Sequence, residues 1–584
     1  MFTAITVQLF RTKNSITESI WLSIRHQQRR KSLILQHINY ISLCRVSTMN
    51  NIFSKIFIRF IYNEVHIMSE NKVVLIIRDG WGRGQADKYN AVANADTPAM
   101  DRYLAEYPHT VLEPAGEFVG LPEGYQGSSE VGHLNMGAGR IVIQELKRIK
   151  DMIKDGTFFE CAALKKAFDN AAEKGTALHV MGLVQDEGVH AHQDHLYALL
   201  REAHRRNIKK VWIHYFSDGR DTPPRSTLSY LKMLQEVMVR CSNAQIGTLM
   251  GRYYAMDRGA KWPLTDKAYA CITKGEGIKY KTAEEAIRYG YDNLKNPDGT
   301  PMSDEYLPPV VIGDYPGVKD GDSVIHFNFR QDRAIQLTKA FVEDEYPGKR
   351  DKKYDIVYCG LTRYYNEFRF SALPAMDEGG GMENLLGEVI SRNGLKQLRL
   401  AETQKFKHVT SFFNGKSTKP YPGEDQVEIK GTWDPATFAE HPEMNAPEVR
   451  ERAVTEIKSG KYDFIVINFA NCDMVGHTGD YGAAKKAVEV TDESVKAVTD
   501  AAIAGGYTVL ITSDHGNAEE MWDYRIDMPR TSHTVNQVDF IYVSKNAGNV
   551  KLRPHGILSD IAPTVLQIMG IEKPAEMTAE SLIA

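Results

Sequence analysis

Six acidic and imidazole side chains, placed towards the two ends of the chain, have the chemistry of metal ligands. In DMVGH, Asp473 and His477 lie four residues apart, which puts both side chains on one face of a helical turn. In TSDHGN, two more candidates directly follow an apolar run, so a turn can direct both inward. The set is Asp79, Asp473, Asp514, His477, His515 and His533. Carboxylates and imidazoles without a thiolate suit manganese or zinc better than a structural zinc finger, and two ions are the economical number.

Each of these residues also has an ordinary explanation when taken alone. Asp79 in DGWG fits a turn or a helix cap, and His533 fits a hydrogen-bonded surface residue. The metal interpretation therefore depends on all six side chains meeting in space.

A pair of serines lies in the glycine-rich segment YQGSSEVGHLNMGAGR, residues 125–140. Glycine lets the backbone bend sharply or come close to a neighbour, so the segment fits a surface turn as well as a reactive loop. A metal pair favours the second interpretation, because a divalent ion stabilises an alkoxide and two ions stabilise the entering and leaving oxygens of an in-line displacement. That is phosphoryl-transfer chemistry, with Ser128 or Ser129 as the nucleophile.

Basic residues dominate the polar segments in the middle of the chain. They are His190, Arg220, Arg252, Arg258, Arg330 and Arg333. Guanidinium groups bind phosphate and carboxylate through flat, bidentate contacts, so several of them at strand ends predict a small anionic ligand. The alternative is a solvated basic face with weak ion pairs. Asp221 fits a turn cap or a general acid and base, and Lys405 fits a solvated side chain or a phosphate-facing cation.

The elements that must position these residues alternate along the chain from residue 72 onwards. Short β-branched apolar runs alternate with helical periodicity, which indicates an α/β fold with parallel sheets covered by helices. Seven runs end directly before chemically capable residues: KVVLII, LHVMGLV, VWIHYF, AQIGTLM, SVIHFNF, FIVINFA and YTVLITS. Open α/β sheets bind ligands at this edge, so we expect the loops there to form the site.

The order of the two chemistries indicates one domain interrupted by another. Aspartate and histidine motifs lie near both ends of the chain, and arginine motifs lie in the middle. We expect the connections near residues 144 and 379. The first domain would then comprise residues 68–143 and 379–584, and the inserted domain residues 144–378.

Composition narrows the class of protein. The 584 residues are 42% hydrophobic and 25% charged, as in a globular protein with a large core, and the net charge of -4 gives no overall attraction to nucleic acid or an anionic membrane. Six cysteines lie far apart without a CxxC pair, which favours a reducing cytoplasm over a disulfide scaffold.

Residues 1–67 differ from the rest of the chain because they are basic and poor in acidic residues. This fits an organellar targeting segment or a misassigned start upstream of Met68. We take the second interpretation, in which the extension is disordered or missing from the mature protein and the location is cytoplasmic.

Together, these motifs resemble those of the cofactor-independent (2,3-bisphosphoglycerate-independent) phosphoglycerate mutases of the alkaline phosphatase superfamily. The resemblance runs from residue 70 or so to the C-terminus. GSSEVGHLNMGAGR is similar to the family's nucleophile motif, which implies that Ser129 is the nucleophile and that Ser128 stands where the family usually has Asn.

The resemblance implies a role for each candidate residue. The ligands of one manganese ion would be Asp473, His477 and His533. Those of the second would be Asp79, Asp514, His515 and Ser129, with zinc, magnesium or cobalt able to replace manganese. The substrate-binding residues would be His190, Arg220, Asp221, Arg252, Arg258, Arg330, Arg333 and Lys405. Ser129, Asp221 and Lys405 would be catalytic, with Asp221 as acid and base.

The implied activity is the glycolytic and gluconeogenic interconversion of 3-phosphoglycerate and 2-phosphoglycerate through a phosphoserine. The implied fold is an alkaline-phosphatase-like parallel-sheet domain interrupted by a second α/β domain, with the substrate in the cleft between them. We expect a monomer that binds neither nucleic acid nor membrane. The alternatives are another metal-dependent phosphatase, a phosphopentomutase or a sulfatase of the same superfamily, or a non-catalytic protein that binds metal or anions.

Overall fold

The computed structural model of the protein describes residues 72–373, 382–525 and 527–584. In chain order, its strands are β1 (Lys72–Arg78), β2 (His109–Glu113), β3 (Leu178–Leu183), β4 (Val211–Ser217), β5 (Ala244–Gly251), β6 (Ile278–Tyr280), β7 (Val310–Ile312), β8 (Ser323–His326), β9 (Val357–Gly360), β10 (Gln397–Glu402), β11 (Glu424–Ile429), β12 (Phe464–Phe469), β13 (Tyr507–Thr512), β14 (Trp522–Asp523), β15 (Met528–Pro529), β16 (Val538–Val543) and β17 (His555–Ile557).

Helices alternate with these strands along most of the described chain. They are α1 (Ala91–Asn94), α2 (Pro98–Glu106), α3 (Ser129–Ala138), α4 (Glu145–Asp155), α5 (Ala162–Lys174), α6 (Gln193–Arg205), α7 (Thr227–Arg240), α8 (Arg252–Ala255), α9 (Trp262–Lys274), α10 (Ala283–Asn293), α11 (Ile335–Val342), α12 (Leu386–Arg392), α13 (Thr403–Lys407), α14 (Ala446–Ser459), α15 (Asn471–Gly476), α16 (Tyr481–Ala504) and α17 (Ile561–Met569).

The chain forms two compact units. Within the described residues, one comprises those up to Val119 together with those of Gly124–Val142 and Glu383–Ala584, and the other comprises those of Gly120–Glu123 and Ile143–Met382.

The first unit contains an eight-stranded sheet in the order β11-β10-β12-β1-β13-β16-β2-β17. The five strands from β11 to β13 are parallel, and β16 runs antiparallel to both of its neighbours. The central strand β1 reads KVVLIIR, and six of its seven residues are buried, as expected for a strand with both faces covered. Val74, Ile76, Ile465, Ile467 and Val509 belong to one core together with residues of α14 and α16.

The second unit contains a seven-stranded sheet in the order β6-β7-β5-β4-β3-β8-β9. All neighbouring pairs are parallel except β5 and β7. The expected α/β class is therefore confirmed, and the expected parallel sheets are mainly parallel but include antiparallel pairs.

One predicted strand is shorter than its apolar run suggests. SVIHFNF forms a strand only over β8, and Asn328 then bonds through its side chain: its Oδ1 accepts the Leu183 N–H at 2.9 Å. An asparagine side chain that takes a backbone donor in this way replaces the regular ladder. The strand therefore ends before its apolar residues do.

Three further expectations concern the chain as a whole. Within the described ranges, none of the helices combines the length and the apolar character needed to cross a membrane. The five described cysteines, Cys161, Cys241, Cys271, Cys359 and Cys472, are free. The interpretation of residues 1–67 falls outside the described residues.

Candidate active site

The candidate metal ligands lie at the carboxyl ends of neighbouring strands in the first unit. Asp79 follows β1, Asp473 lies in α15 after β12, and Asp514 and His515 follow β13. Because β12, β1 and β13 are adjacent and parallel, these ends meet at one edge of the sheet.

Asp473, His477 and His533 form one close group. Asp473 Oδ1 lies 3.2 Å from His477 Nε2 and 3.0 Å from His533 Nε2. The two imidazole Nε2 atoms are 3.1 Å apart. Asp473 is in α15 and His477 directly follows that helix, so the spacing of four residues places both side chains together, as the sequence predicts.

Asp79, Asp514, His515 and Ser129 form a second group beside the first. Ser129 Oγ lies 3.1 Å from Asp79 Oδ1 and 2.9 Å from His515 Nε2. His515 Nε2 is 3.5 Å from Asp79 Oδ1 and 3.6 Å from Asp514 Oδ2. The groups adjoin, since His515 Nε2 is 3.9 Å from Asp473 Oδ1.

The histidines present their Nε2 lone pairs to these groups. The Nδ1 atom of each faces a backbone carbonyl: Thr531 O at 2.6 Å for His477, Gly127 O at 2.8 Å for His533, and Gly516 O at 3.2 Å for His515. A carbonyl only accepts, so we assign the proton to Nδ1 and leave Nε2 as a lone-pair donor. Lone pairs that converge on carboxylates repel one another unless a cation lies among them, so the residues fit a metal site.

Ser129 is the first residue of helix α3. Ser128 caps this helix by accepting the Val131 N–H at 3.4 Å. The N-terminus of a helix presents unpaired N–H groups and a partial positive charge, which favours an anion at the Ser129 side chain. The glycine-rich segment is therefore a helix start at the site and not a surface loop.

Lys405 joins the two groups. It lies in α13, after β10, and its Nζ is 2.6 Å from each of Asp79 Oδ1, Asp473 Oδ2 and Ser129 Oγ. Burial acts to lower the pKa of Lys405, but the negative charges of Asp473 and Asp79 outweigh it and raise this pKa. Lys405 thus places a positive charge beside the candidate nucleophile.

The carboxylates respond differently to the shared site. Burial, followed by the charge of Asp514, raises the pKa of Asp79 to about 7. Burial also acts to raise the pKa of Asp514, but His515 and His133 hold it below its usual value. Such separation of neighbouring pKa values is typical of functional sites.

Two residues of this centre were missed by the sequence interpretation. His133 Nδ1 lies 2.9 Å from Ser129 O and 3.3 Å from Asp514 Oδ2, and its Nε2 is 3.1 Å from Asn468 Nδ2. Asn468 donates to Asp79 Oδ2 at 2.7 Å. His133 follows Ser129 by four residues in a helix, and this spacing was the available signal.

The candidate substrate residues of the second unit also follow strand ends. His190 comes after β3, Arg220 and Asp221 after β4, Arg252 after β5, and Arg330 after β8. Of the predicted substrate-binding residues, Lys405 alone lies outside the second unit; it belongs to the first unit.

Carboxylates hold several of these basic groups in place. Arg252 is 1% exposed, and its Nη1 donates to Asp218 Oδ1 at 2.7 Å and Asp221 Oδ2 at 2.6 Å. Asp332 Oδ2 lies 2.5 Å from Arg258 Nη1, and its Oδ1 lies 3.3 Å from Arg330 Nε. The sequence interpretation missed Asp218 and Asp332 as partners, although both stand inside the SDGRD and RQDR motifs.

Positive charge accumulates around Arg333. Burial lowers its pKa, and the nearby charges of Arg252, Arg258 and Arg220 lower it further. Burial and the charges of Arg252 and Arg330 lower the pKa of His190 to about 3, so its imidazole is neutral at pH 7. A cluster of guanidinium groups beside a neutral imidazole is suited to a small polyanion.

Asp221 lies where it can exchange a proton in this cluster. Its Oδ2 is 3.9 Å from His190 Nε2 and accepts from Arg252. The side chain is 19% exposed, so a bound hydroxyl can reach it.

Comparison with known proteins extends these observations. A model of the metalloenzyme superfamily matches residues 71–573. A 2,3-bisphosphoglycerate-independent phosphoglycerate mutase of Clostridium kluyveri is 45% identical over 88% of this chain and 100% of its own length. The enzyme of that name from Moorella thermoacetica is 47% identical over 88% of this chain and 98% of its own length. A crystal structure of Leishmania mexicana phosphoglycerate mutase at low cobalt concentration superposes with a TM-score of 0.69 at 30% identity, covering 88% of this chain and 98% of that one.

Proposed function

We propose a reaction path from one premise: the chain belongs to the 2,3-bisphosphoglycerate-independent phosphoglycerate mutases, within the metalloenzyme superfamily, and is an isomerase. The path interconverts 3-phosphoglycerate and 2-phosphoglycerate through a phosphoserine at Ser129. The contact of Ser129 Oγ with Lys405 and with two candidate metal ligands is the observation that carries this proposal.

Two manganese ions would occupy the groups described above. Asp473, His477 and His533 would hold one, and Asp79, Asp514, His515 and Ser129 would hold the other. When bound, such a pair lowers the pKa of a coordinated hydroxyl and offsets the charge of a transferring phosphoryl group. Lys405 would then turn its charge towards the phosphate.

The Ser129 hydroxyl first loses its proton to solvent. Its Oγ then attacks the phosphorus, the bond from phosphorus to the substrate oxygen breaks, and the phosphoryl group is left on Ser129 while glycerate stays bound. The N-terminus of α3 favours the new negative charge. Lys405 stabilises the same charge from the side of Asp79 and Asp473.

The second unit would bind the substrate. Its guanidinium groups hold the carboxylate and the phosphate, and His190, neutral at pH 7, offers a hydrogen bond without further charge. Asp221 gives a proton to the departing oxygen and takes one from the other hydroxyl, which then receives the phosphoryl group. Exclusion of water at this stage prevents hydrolysis of the phosphoserine.

The same proposal covers the organisation of the chain. We assign the first unit to an interrupted phosphatase-like domain and the second to an inserted phosphotransferase domain. We further propose a cytoplasmic monomer.

Replacement of the nucleophile tests this proposal. Ser129→Ala should lower the mutase rate by at least about a thousandfold, because alanine has no oxygen to carry the phosphoryl group. Ser128→Ala is the matched control, since it removes the neighbouring hydroxyl, which only caps α3. The rate is measured by coupling 2-phosphoglycerate to enolase, and folding by circular dichroism. A Ser129→Ala enzyme with the wild-type rate would contradict the phosphoserine path.

The product distinguishes the main alternative. A phosphatase built on the same metal groups would release inorganic phosphate from 3-phosphoglycerate, whereas the mutase forms 2-phosphoglycerate. The cluster around Arg333 favours the mutase, because it provides binding groups for the released glycerate.

A further inference from the structure

The side chain of Glu519 is buried among the loops that carry the candidate ligands, although it belongs to neither group. It is 2% exposed and follows His515 by four residues. Both of its carboxylate oxygens accept hydrogen bonds, and the donors come from three separate segments of the first unit.

Each donor belongs to a segment that bears a ligand. Oε2 accepts the Gly82 N–H at 3.1 Å, three residues after Asp79, and the Asn517 N–H at 2.8 Å, two residues after His515. Oε1 accepts from the Thr534 hydroxyl, next to His533, and from Asn536 Nδ2 at 3.0 Å.

Asn517 extends these contacts to the fourth ligand segment. While its N–H bonds to Glu519, its side-chain Nδ2 donates to Asp473 Oδ1 at 3.1 Å. One carboxylate is thus linked, directly or through one residue, to the segments of Asp79, Asp473, His515 and His533.

The glycines around Glu519 make room for it. A Cβ on Gly82 would overlap the Glu519 carboxylate, one on Gly516 would overlap Oε1, and one on Gly84 would lie 2.9 Å from Cγ. Gly82, Gly84 and Gly516 therefore leave room for the approach of Glu519.

We propose that Glu519 is a positioning residue for both metal groups at once. Its carboxylate accepts hydrogen bonds from four donor groups that would otherwise be buried without an acceptor. These bonds fix the distances between the segments that carry Asp79, His515 and His533. This inference rests on the proposed function because it takes the two ligand groups as metal sites.

Manganese binding to the metal-free full-length protein tests the proposal. Glu519→Gln should weaken Mn²⁺ binding at both sites by about tenfold or more, since partners outside the ligand set commonly contribute this much to metal affinity. The amide replaces one acceptor by a donor, which then opposes Asn536 or a backbone N–H. Calorimetry gives the two affinities, and electron paramagnetic resonance shows whether the two ions still lie close enough to couple.

Two further variants separate positioning from general stability. Asp304→Asn is the matched control, because Asp304 is a buried carboxylate of the second unit that accepts the Ser226 and Thr227 N–H groups and the Tyr291 hydroxyl. It should leave both Mn²⁺ affinities unchanged. His477→Ala removes a ligand of one group and should weaken one site far more than the other.

A milder change keeps the test decisive if Glu519→Gln does not fold. Thr534→Val removes one donor beside His533 and should weaken the site of Asp473, His477 and His533 more than its neighbour. If the folded Glu519→Gln protein binds Mn²⁺ with wild-type affinities, the inference is wrong, but the proposed function still stands. If Glu519→Gln does not fold, wild-type affinities in Thr534→Val lead to the same conclusion. If the wild-type protein binds no Mn²⁺ at these groups, both the proposed function and the inference that rests on it are wrong.

Discussion

Lys405 partly neutralises the negative charge of the candidate metal ligands. Its ammonium lies 2.6 Å from two buried carboxylates and from the Ser129 hydroxyl, so it partly neutralises the first unit's ligand groups before any ion binds. Removal of one partner from a buried pair leaves an unpaired charge, which is strongly unfavourable. The residue therefore stabilises the buried carboxylates and places a positive charge beside the Ser129 hydroxyl.

Glu402, three residues before Lys405, should make the free energy of unfolding depend on pH. It is 1% exposed, and burial raises its pKa to about 8, against the smaller effects of the Asn445 N–H and Lys405. An unfolded glutamate has a pKa of about 4.3, so between about pH 4.3 and 8 the folded protein keeps a proton that the unfolded chain loses. The free energy of unfolding should therefore fall as the pH rises through this window, by at most about 1.4 kcal/mol per pH unit from this group.

Glu402→Gln should remove that contribution. Urea unfolding between pH 5 and pH 8 should show the variant gaining stability over the wild type as the pH rises. Glu451→Gln, at an exposed carboxylate of α14, is the control. Parallel curves for wild type and Glu402→Gln would show that Glu402 ionises normally.

At the scale of elements, helix α3 approaches its neighbours unusually closely. A Cβ on Gly132 would lie 2.9 Å from both the Cβ and the carbonyl oxygen of Asp514, and one on Gly137 would overlap the Phe413 carbonyl. Gly132 lets the helix that begins at Ser129 lie directly against the loop after β13, and Gly137 lets it lie against the backbone of Phe413.

Gly132→Ala should therefore damage the metal groups through packing. The new methyl group must displace Asp514 or the helix, at a stability cost of about 1–3 kcal/mol. We expect weaker Mn²⁺ binding in calorimetry together with a lower melting temperature. Gly548→Ala, where a Cβ meets open space, should change neither. Unchanged Mn²⁺ affinity in Gly132→Ala would mean that this close contact does not position Asp514.

At the scale of the whole molecule, the two units carry different chemistry. All the candidate metal ligands lie in the first unit, and the arginine cluster lies in the second. A ligand stabilises the structure that binds it, by about 2.7 kcal/mol at a concentration one hundred times its dissociation constant.

Hydrogen exchange should reveal this division. Mn²⁺ added to the metal-free protein should slow amide exchange in residues 79–84 and 514–519, while β3 and β4 of the second unit should exchange as before. Mass spectrometry of peptides from both units measures the effect. Equal protection of both units would contradict the assignment of both ions to the first one.

The sequence by itself determined the α/β class and most strands that end at the site. Parallel strands buried on both faces consist of continuous apolar, β-branched runs, so β1, β12 and β13 could be predicted from the sequence. The polar residues after these runs indicated the edge of the sheet that binds ligands. The i, i+4 spacing predicted the contact of Asp473 with His477, because helical geometry is local. Resemblance, not residue chemistry, selected Ser129 over Ser128.

Only the tertiary structure decided which residues support the ligands. The contacts of His133 with Asn468, of Asn468 with Asp79 and of Glu519 with Gly82 join residues hundreds of positions apart, and no local period encodes such pairs. The spacing of His133 from Ser129 is the one local signal among them. The early end of β8 likewise depends on Asn328 meeting the Leu183 N–H of another strand. Side chains that meet across strands are fixed by strand order and packing, and these arise only when the whole sheet has assembled.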